Sequence, residues 1–168
     1  MLSVLVPYIL TTELSPLLEK AADGRVINTS SYMHHFAKVK DLDFGFKTNY
    51  NPGLAYNNSK LYTIWMTRYL ARDFFLKGSS ITVNSYHPGL ISTNLGNDSS
   101  VEKTKKSLFG RLMKSFSKDL DEGIETGYYL TLSEKITGLT GYYFDEKKVK
   151  SVSEKGYTLE KAQNLITY

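Results

Sequence analysis

Two short runs constrain this chain most: Arg25-Val26-Ile27-Asn28-Thr29 and Ile81-Thr82-Val83-Asn84-Ser85-Tyr86, both rich in β-branched residues and separated by one long helical stretch. Strand, crossover helix and strand in that order pair in parallel, and a parallel sheet needs helices on both faces. The flanking segments fit that scheme. Residues 5–21 read as a helix, with Leu10, Leu14, Leu17 and Leu18 at helical spacing and Gly24 closing it. Pro7 suits its first turn, and Pro16 predicts a kink. Residues 54–77 read as the long helix, ended by Gly78, and 32–53 as a long loop of the kind that is functional or poorly ordered in a compact domain. Pro88-Gly89 stops the second strand. Beyond it, helices are expected over 101–118 and 120–133, and a third short strand at Gly141-Tyr142-Tyr143-Phe144. A tail helix from Ser153 would set Leu159, Ala162 and Ile166 on one side. The pattern is α/β, and 168 residues suit one domain.

Composition excludes several classes. The absence of Cys rules out disulfides, thiolate catalysis and Cys-based metal sites, and suits an intracellular protein. No apolar stretch is long enough to span a bilayer, and the start of the chain has no basic residue ahead of its apolar run and soon meets Glu13, unlike a secretory signal. The net charge of +4 is mild and concentrated: Lys103, Lys105, Lys106, Arg111, Lys114 and Lys118 lie close together. No nucleic-acid recognition motif accompanies them, so no nucleic-acid partner is expected. His34, His35 and His87 lack ligand spacing and read as loop or strand-end residues, with no metal site. Tyr62, Trp65, Met66 and Tyr69 form an aromatic stripe, read as core or a helix-pairing surface.

Ser31, Tyr56 and Lys60 carry the chemistry. Tyr56 and Lys60 are four apart at the start of the long helix and so share a face. A phenol beside a fixed ammonium has its phenolate stabilised and can exchange a proton at neutral pH. Ser31 follows the first strand, where open α/β folds place ligands. The spacing alone decides little, since Tyr143/Lys147 and Tyr157/Lys161 repeat it and chance supplies about one such pair in a chain this rich in Tyr and Lys. Context selects the first pair: it alone opens a helix after a strand ending in Ser-Ser and precedes a strand ending in Pro-Gly. The other two pairs, in charged, tail-like sequence, read as solvated.

Together these segments resemble the short-chain dehydrogenase/reductase family. Gly24-Arg25-Val26-Ile27-Asn28-Thr29-Ser30-Ser31 looks like the family strand that ends in the catalytic serine. Ala55-Tyr56-Asn57-Asn58-Ser59-Lys60 looks like the Tyr-x-x-x-Lys segment, and Val83 to Thr93 like the cofactor-side Pro-Gly segment and its Thr. His34-His35 and the extended loop to Tyr56 point to the retinol-dehydrogenase-like branch. The resemblance runs from about Leu5 to about Phe144 and implies a partial Rossmann-like, doubly wound parallel sheet, here the last three of seven strands. It implies Tyr56 as acid/base, Lys60 as the group that favours the phenolate and holds the nicotinamide ribose, and Ser31 as the holder of the substrate oxygen. Tyr56, Lys60, Pro88, Gly89, Ile91 and Thr93 would form the cofactor side. The cofactor would be NAD or NADP, with NADP favoured, and the substrate a carbonyl or alcohol compound, lipophilic by the position of its lid.

Parts of the family pattern are missing. No Thr-Gly-x-x-x-Gly-x-Gly turn occurs, so nothing cradles a pyrophosphate, and the family's catalytic Asn falls near Ser3. The whole of 1–168 is therefore expected to be a single C-terminal portion, with a catalytic segment at about 25–93 and a substrate lid at about 94–120. Alone it should bind dinucleotide poorly and not turn over. The alternative is a non-enzymatic remnant that acts as an interaction or membrane-surface module. Strand 25–29 would be an open edge, which invites pairing with another chain or a homodimer. Residues 101–118, with Leu108, Phe109, Leu112, Met113 and Phe116 on one face, read either as an ordinary amphipathic surface helix or as an interfacial lid touching anionic lipid. Either way the expected location is cytoplasmic, or the cytoplasmic face of a membrane or lipid droplet.

Overall fold

The structure is a computed structural model and describes residues 2–39, 50–89, 120–152 and 156–167. The first strand, β1 (Arg25–Thr29), lies parallel to β2 (Thr82–Tyr86), with Arg25 opposite Thr82 and Thr29 opposite Tyr86. β3 (Tyr143–Asp145) continues the parallel sheet beside β2, and β4 (Lys148–Val149) turns back antiparallel, giving the order β1-β2-β3-β4. Both faces are covered, as a parallel sheet requires. Helices α1 (Leu2–Leu18), α2 (Pro52–Leu76) and α4 (Leu159–Thr167) enclose a core of Val4, Leu61, Met66, Val83, Ala162 and Leu165 on one face. On the other face, α3 (Leu120–Leu132) brings Leu130 against Ile136 and Phe144, with Ile27 and Tyr86 packed beside them. Gly127 permits this approach, since a Cβ there would stand 2.7 Å from the Tyr86 hydroxyl oxygen.

Both prolines of α1 lie inside one continuous helix, so Pro7 is not in the first turn as the sequence suggests. Each removes an N–H that would reach the carbonyl four residues back. Side chains approach the freed carbonyls: Ser15 Oγ donates to Thr12 O at 2.8 Å, and Thr63 Oγ1, whose nearer acceptor is Ser59 O at 3.0 Å, lies 3.5 Å from Ser3 O. The helix is apolar on nearly every side. It buries Val4 and Thr11 and leaves Leu2, Val6, Ile9, Leu10, Leu14 and Leu17 exposed. Among the described residues β1 is paired on one side only.

One of the two readings of the aromatic stripe holds, and two further points differ from the sequence reading. The aromatic stripe is core, because α4 covers α2: Tyr62, Trp65 and Met66 are buried, and the Trp65 ring lies 5.9 Å from that of Tyr157. In α4 the fully buried residues are Ala162 and Leu165, with Ile166 beside them. The long loop is partly structured, since Tyr32–Phe36 forms a 3-10 helix. The expected helix 101–118, and with it the lid, lies outside the described residues. No described helix is long and apolar enough to cross a membrane.

Candidate active site

The C-terminal ends of β1 and β2 and the N-terminus of α2 meet at one edge of the sheet. Ser30 N–H donates to Tyr86 O at 2.7 Å and so extends the β1–β2 pairing by one residue. Ser30 Oγ donates to the Lys60 carbonyl at 2.7 Å, which pins the strand end to α2. Ser31 then caps the 3-10 helix, its Oγ accepting from Met33 N–H at 3.2 Å. The start of α2 is set by Asn51, whose side chain accepts from Leu54 N–H at 2.9 Å, and by Pro52 at the first helical position.

These constraints place Tyr56 and Lys60. Lys60 Nζ donates to the Thr29 carbonyl at 3.2 Å, so the ammonium is held at the end of β1, two residues before Ser31. It lies 5.6 Å from the centre of the Tyr56 ring, and Tyr56 itself is 48% exposed. Pro88 and Gly89 follow the neighbouring strand, Gly89 with a φ of +85° that favours glycine. Ile91 and Thr93 lie outside the described residues. The Tyr56 ring and the Lys60 ammonium thus lie together at this sheet edge, and the Ser31 turn begins two residues after the Thr29 carbonyl that holds Lys60.

Asn58, which sequence reasoning passed over, is buried and clasps the backbone of Lys38. Its Oδ1 accepts from Lys38 N–H at 2.9 Å and its Nδ2 donates to Lys38 O at 3.0 Å. This pair ties the segment after the 3-10 helix to α2. No signal in the sequence distinguishes Asn58 from its neighbour Asn57.

The other Tyr-x-x-x-Lys pairs are not solvated as expected, because both tyrosines pack into the structure. Tyr143 is buried, and burial pushes its hydroxyl well above the usual phenol range, with Asp145 and Tyr32 adding to the effect. Lys147 pairs instead with Glu125 at 2.7 Å. Tyr157 packs on Trp65 and lies 5.2 Å from the Arg68 guanidinium carbon.

Human retinol dehydrogenase 14 is 34% identical over 158 residues, which take in 94% of this chain and 46% of that protein. Bovine retinol dehydrogenase 12 is 34% identical over 158 residues, with shares of 94% and 48%. A short-chain dehydrogenase structure from Salmonella enterica serovar Typhi matches with a TM-score of 0.59 over 87% of this chain and 50% of that one, at 23% identity. The chain belongs to the short-chain dehydrogenase/reductase family, in its retinol-dehydrogenase-like branch. It spans about half the length of the curated relatives it matches. An NADPH-bound carbonyl reductase from chicken fatty liver shares the fold, with a TM-score of 0.57 over 89% of this chain and 54% of that one, at 23% identity. No protein-family model matches the chain.

Within this short-chain dehydrogenase fold, the histidines stand behind the serine turn. His34 is fully buried, and its Nδ1 lies 2.7 Å from Ser31 O. Burial pushes its pKa down to about 4, against the contrary pull of the Ser31 carbonyl; His35 and His87 lower it further. Unfolded, the ring takes up a proton near pH 6.5; folded, it does so only near 4. Stability is therefore unaffected by this group above about pH 6.5 and falls as pH drops from there, by about 3 kcal/mol at pH 4. The Asp23 carboxyl, held below its ordinary range by the hydrogen bond from Arg25, contributes stability that is lost only at lower pH. Melting curves at pH 7.5 and 5 should show the drop, and His34→Asn, which keeps an N–H toward Ser31, should flatten it. A parent melting temperature unchanged between those pH values would contradict a neutral, buried His34.

Proposed function

We propose that this chain is the catalytic C-terminal portion of an NAD(P)-dependent oxidoreductase that interconverts a carbonyl compound and its alcohol. The observation that carries this reading is the Lys60 ammonium, fixed on the Thr29 carbonyl beside the exposed Tyr56 ring at the sheet edge. When bound, the reduced dinucleotide supplies the hydride to the carbonyl carbon. Tyr56 gives its phenolic proton to the carbonyl oxygen, Lys60 stabilises the phenolate left behind and holds the nicotinamide ribose, and Ser31 orients the substrate oxygen. Pro88 and Gly89, with Ile91 and Thr93, would line the nicotinamide end. NADP is favoured over NAD by the family resemblance and by the NADPH-bound carbonyl reductase. The names of the relatives point to retinol, hence to a lipophilic alcohol or aldehyde.

The dinucleotide's pyrophosphate needs a cradle of backbone N–H groups that this sequence does not supply. That cradle would come from a further strand-and-helix unit docked on the open side of β1 and the exposed flank of α1. A groove of about 370 Å³ beside β1, lined by Ile27, Thr29, Tyr86, Ile124 and Tyr128, suits the same unit. Titration of the 168-residue chain with NADPH and NADH should give no saturable change in nucleotide fluorescence or melting temperature. Joining the dinucleotide-binding half of a relative ahead of Leu2 should restore micromolar binding. Saturable micromolar binding by the chain alone would sink the argument for a missing cradle.

The exposed apolar flank of α1 and the single-sided β1 also support a second reading, an interaction module without catalysis. The joined protein separates the two: nucleotide binding without any turnover of retinal or a simpler aldehyde would favour the module.

A further inference from the structure

The turn after β2 carries a side chain that the proposed proton transfer does not use. His87 is 7% exposed, and its backbone N–H reaches the Phe144 carbonyl at 3.4 Å, so β2 and β3 stay paired up to this residue. Its Nδ1 accepts from Gly89 N–H at 2.9 Å. With Nδ1 accepting, the proton of the neutral ring resides on Nε2, and Nε2 lies 3.0 Å from Asp145 Oδ1 on β3. The imidazole is therefore hydrogen-bonded to the Pro88-Gly89 turn through Nδ1 and, through Nε2, sits at charge-pair distance from Asp145 without hydrogen-bond alignment.

The same ring also reaches the serine turn. It stacks on Tyr143, centroids 5.9 Å apart and planes 20° apart, and Tyr32 meets it edge-on at 5.9 Å. Tyr32 directly follows Ser31. Tyr143 meets His34 at 4.8 Å, and His34 holds the Ser31 carbonyl. Glycine takes a φ of +85° without steric cost, so the conformation of Gly89 is one that a hydrogen bond to its N–H can hold. The imidazole acceptor supplies it.

We propose that His87 is a positioning residue: as the Nε2–H imidazole, braced by Asp145, it holds the Pro88-Gly89 turn in fixed relation to the Ser31 turn. The consequence for catalysis rests on the reading of Pro88-Gly89 as the nicotinamide-side turn. The acceptor at Nδ1 and the contact at Nε2 can be separated by substitution. Asn at 87 keeps an oxygen able to accept from the N–H two residues on, as in an Asx turn, but does not reach Asp145. Gln at 87 reaches farther but moves the acceptor away from Gly89.

The test begins with the 168-residue chain, labelled with ¹⁵N and without nucleotide. Long-range ¹H–¹⁵N spectra should show the His87 proton on Nε2. Gly89 amide exchange should quicken at least about tenfold in His87→Gln and return to within about threefold of the parent in His87→Asn. Should His87→Gln fail to fold, Asp145→Ala, on a partly exposed side chain, reads the same coupling: part of the ring population should move its proton to Nδ1 and Gly89 exchange should rise. A parent ring protonated on Nδ1, or Gly89 exchange unchanged in the folded variants, would overturn the proposal. None of these readings needs a dinucleotide, so a chain that never binds nucleotide refutes the oxidoreductase reading and leaves the tautomer result standing. In the joined protein, His87→Gln should raise the KM for dinucleotide about tenfold, more than it lowers kcat, with His87→Asn restoring it. An unchanged KM would overturn the link from the turn to the cofactor.

Discussion

Replacing Tyr56 by Phe is expected to lower kcat about 10²- to 10⁴-fold in the joined, nucleotide-competent protein, the range contributed by one positioned acid/base. The substitution removes a single oxygen. Tyr56 is half exposed near the start of α2, where its ring faces the Lys60 ammonium and solvent, so Phe keeps the ring and its packing. Melting temperature should therefore move by no more than about 2 °C. The parallel change Tyr157→Phe is the control, because that tyrosine repeats the same spacing to a lysine yet packs on Trp65, away from the sheet edge. It should leave turnover within about threefold. Turnover of Tyr56→Phe within threefold of the parent would remove Tyr56 from the mechanism, whatever the fate of the cofactor argument.

The contrast between the two tyrosines shows what the residue pattern could and could not carry. β1 was legible to the residue, and β2 and α2 to within two residues, because β-branched runs bounded by Gly and Pro leave little alternative. The α/β class followed from their order alone. Tyr56/Lys60 was selected only through its neighbours, since spacing offered three equal candidates and burial, in which the three differ, is a tertiary property. The β3–β4 hairpin escaped notice for a local reason. Its two turn residues, Glu146 and Lys147, have φ of 49° and 63°, a conformation for which sequence normally signals with Gly or Asn. The start of α1 was misread for the opposite reason: Pro7 resembles a first-turn proline, and Thr63, which approaches the carbonyl it frees, comes from another helix.

Side-chain clasps were the least legible layer. Asn58 on Lys38, Ser30 on the Lys60 carbonyl and His87 on Gly89 each depend on segments brought together from elsewhere or on a turn whose shape is not written in one residue. Yet these clasps set the geometry of the site. Ser30 and Lys60 grip each other's elements reciprocally, one through its hydroxyl and the other through its ammonium. On the proposed reading, the groups that would face substrate are thereby attached to a strand end and a helix, not to a free loop, which limits displacement where a proton would be transferred.

The rigidity of that arrangement depends on α2 being held along its length, and Trp65→Ala should expose this with the largest stability loss of any single change here. Trp65 is 1% exposed, its ring 5.3 Å from Tyr62 and 5.9 Å from Tyr157, in the cluster that joins α1, α2 and α4. Truncation to Ala leaves a cavity among these elements and should cost about 3–5 kcal/mol. Against a total of about 5–15 kcal/mol for a domain, that is a large share, and it should lower the melting temperature by roughly 6–20 °C. Trp65→Phe should behave differently. The indole Nε1 is buried without a hydrogen-bond partner among the described residues, so Phe loses ring volume but also removes an unpaired donor. These effects oppose each other, and the net cost should stay within about 1.5 kcal/mol. Urea titrations followed by far-UV circular dichroism measure both variants without relying on the chain's one Trp as a probe. A cost below about 1 kcal/mol for the Ala variant would mean that α4 does not close over α2, and the aromatic stripe would again be available as a surface for pairing with another helix.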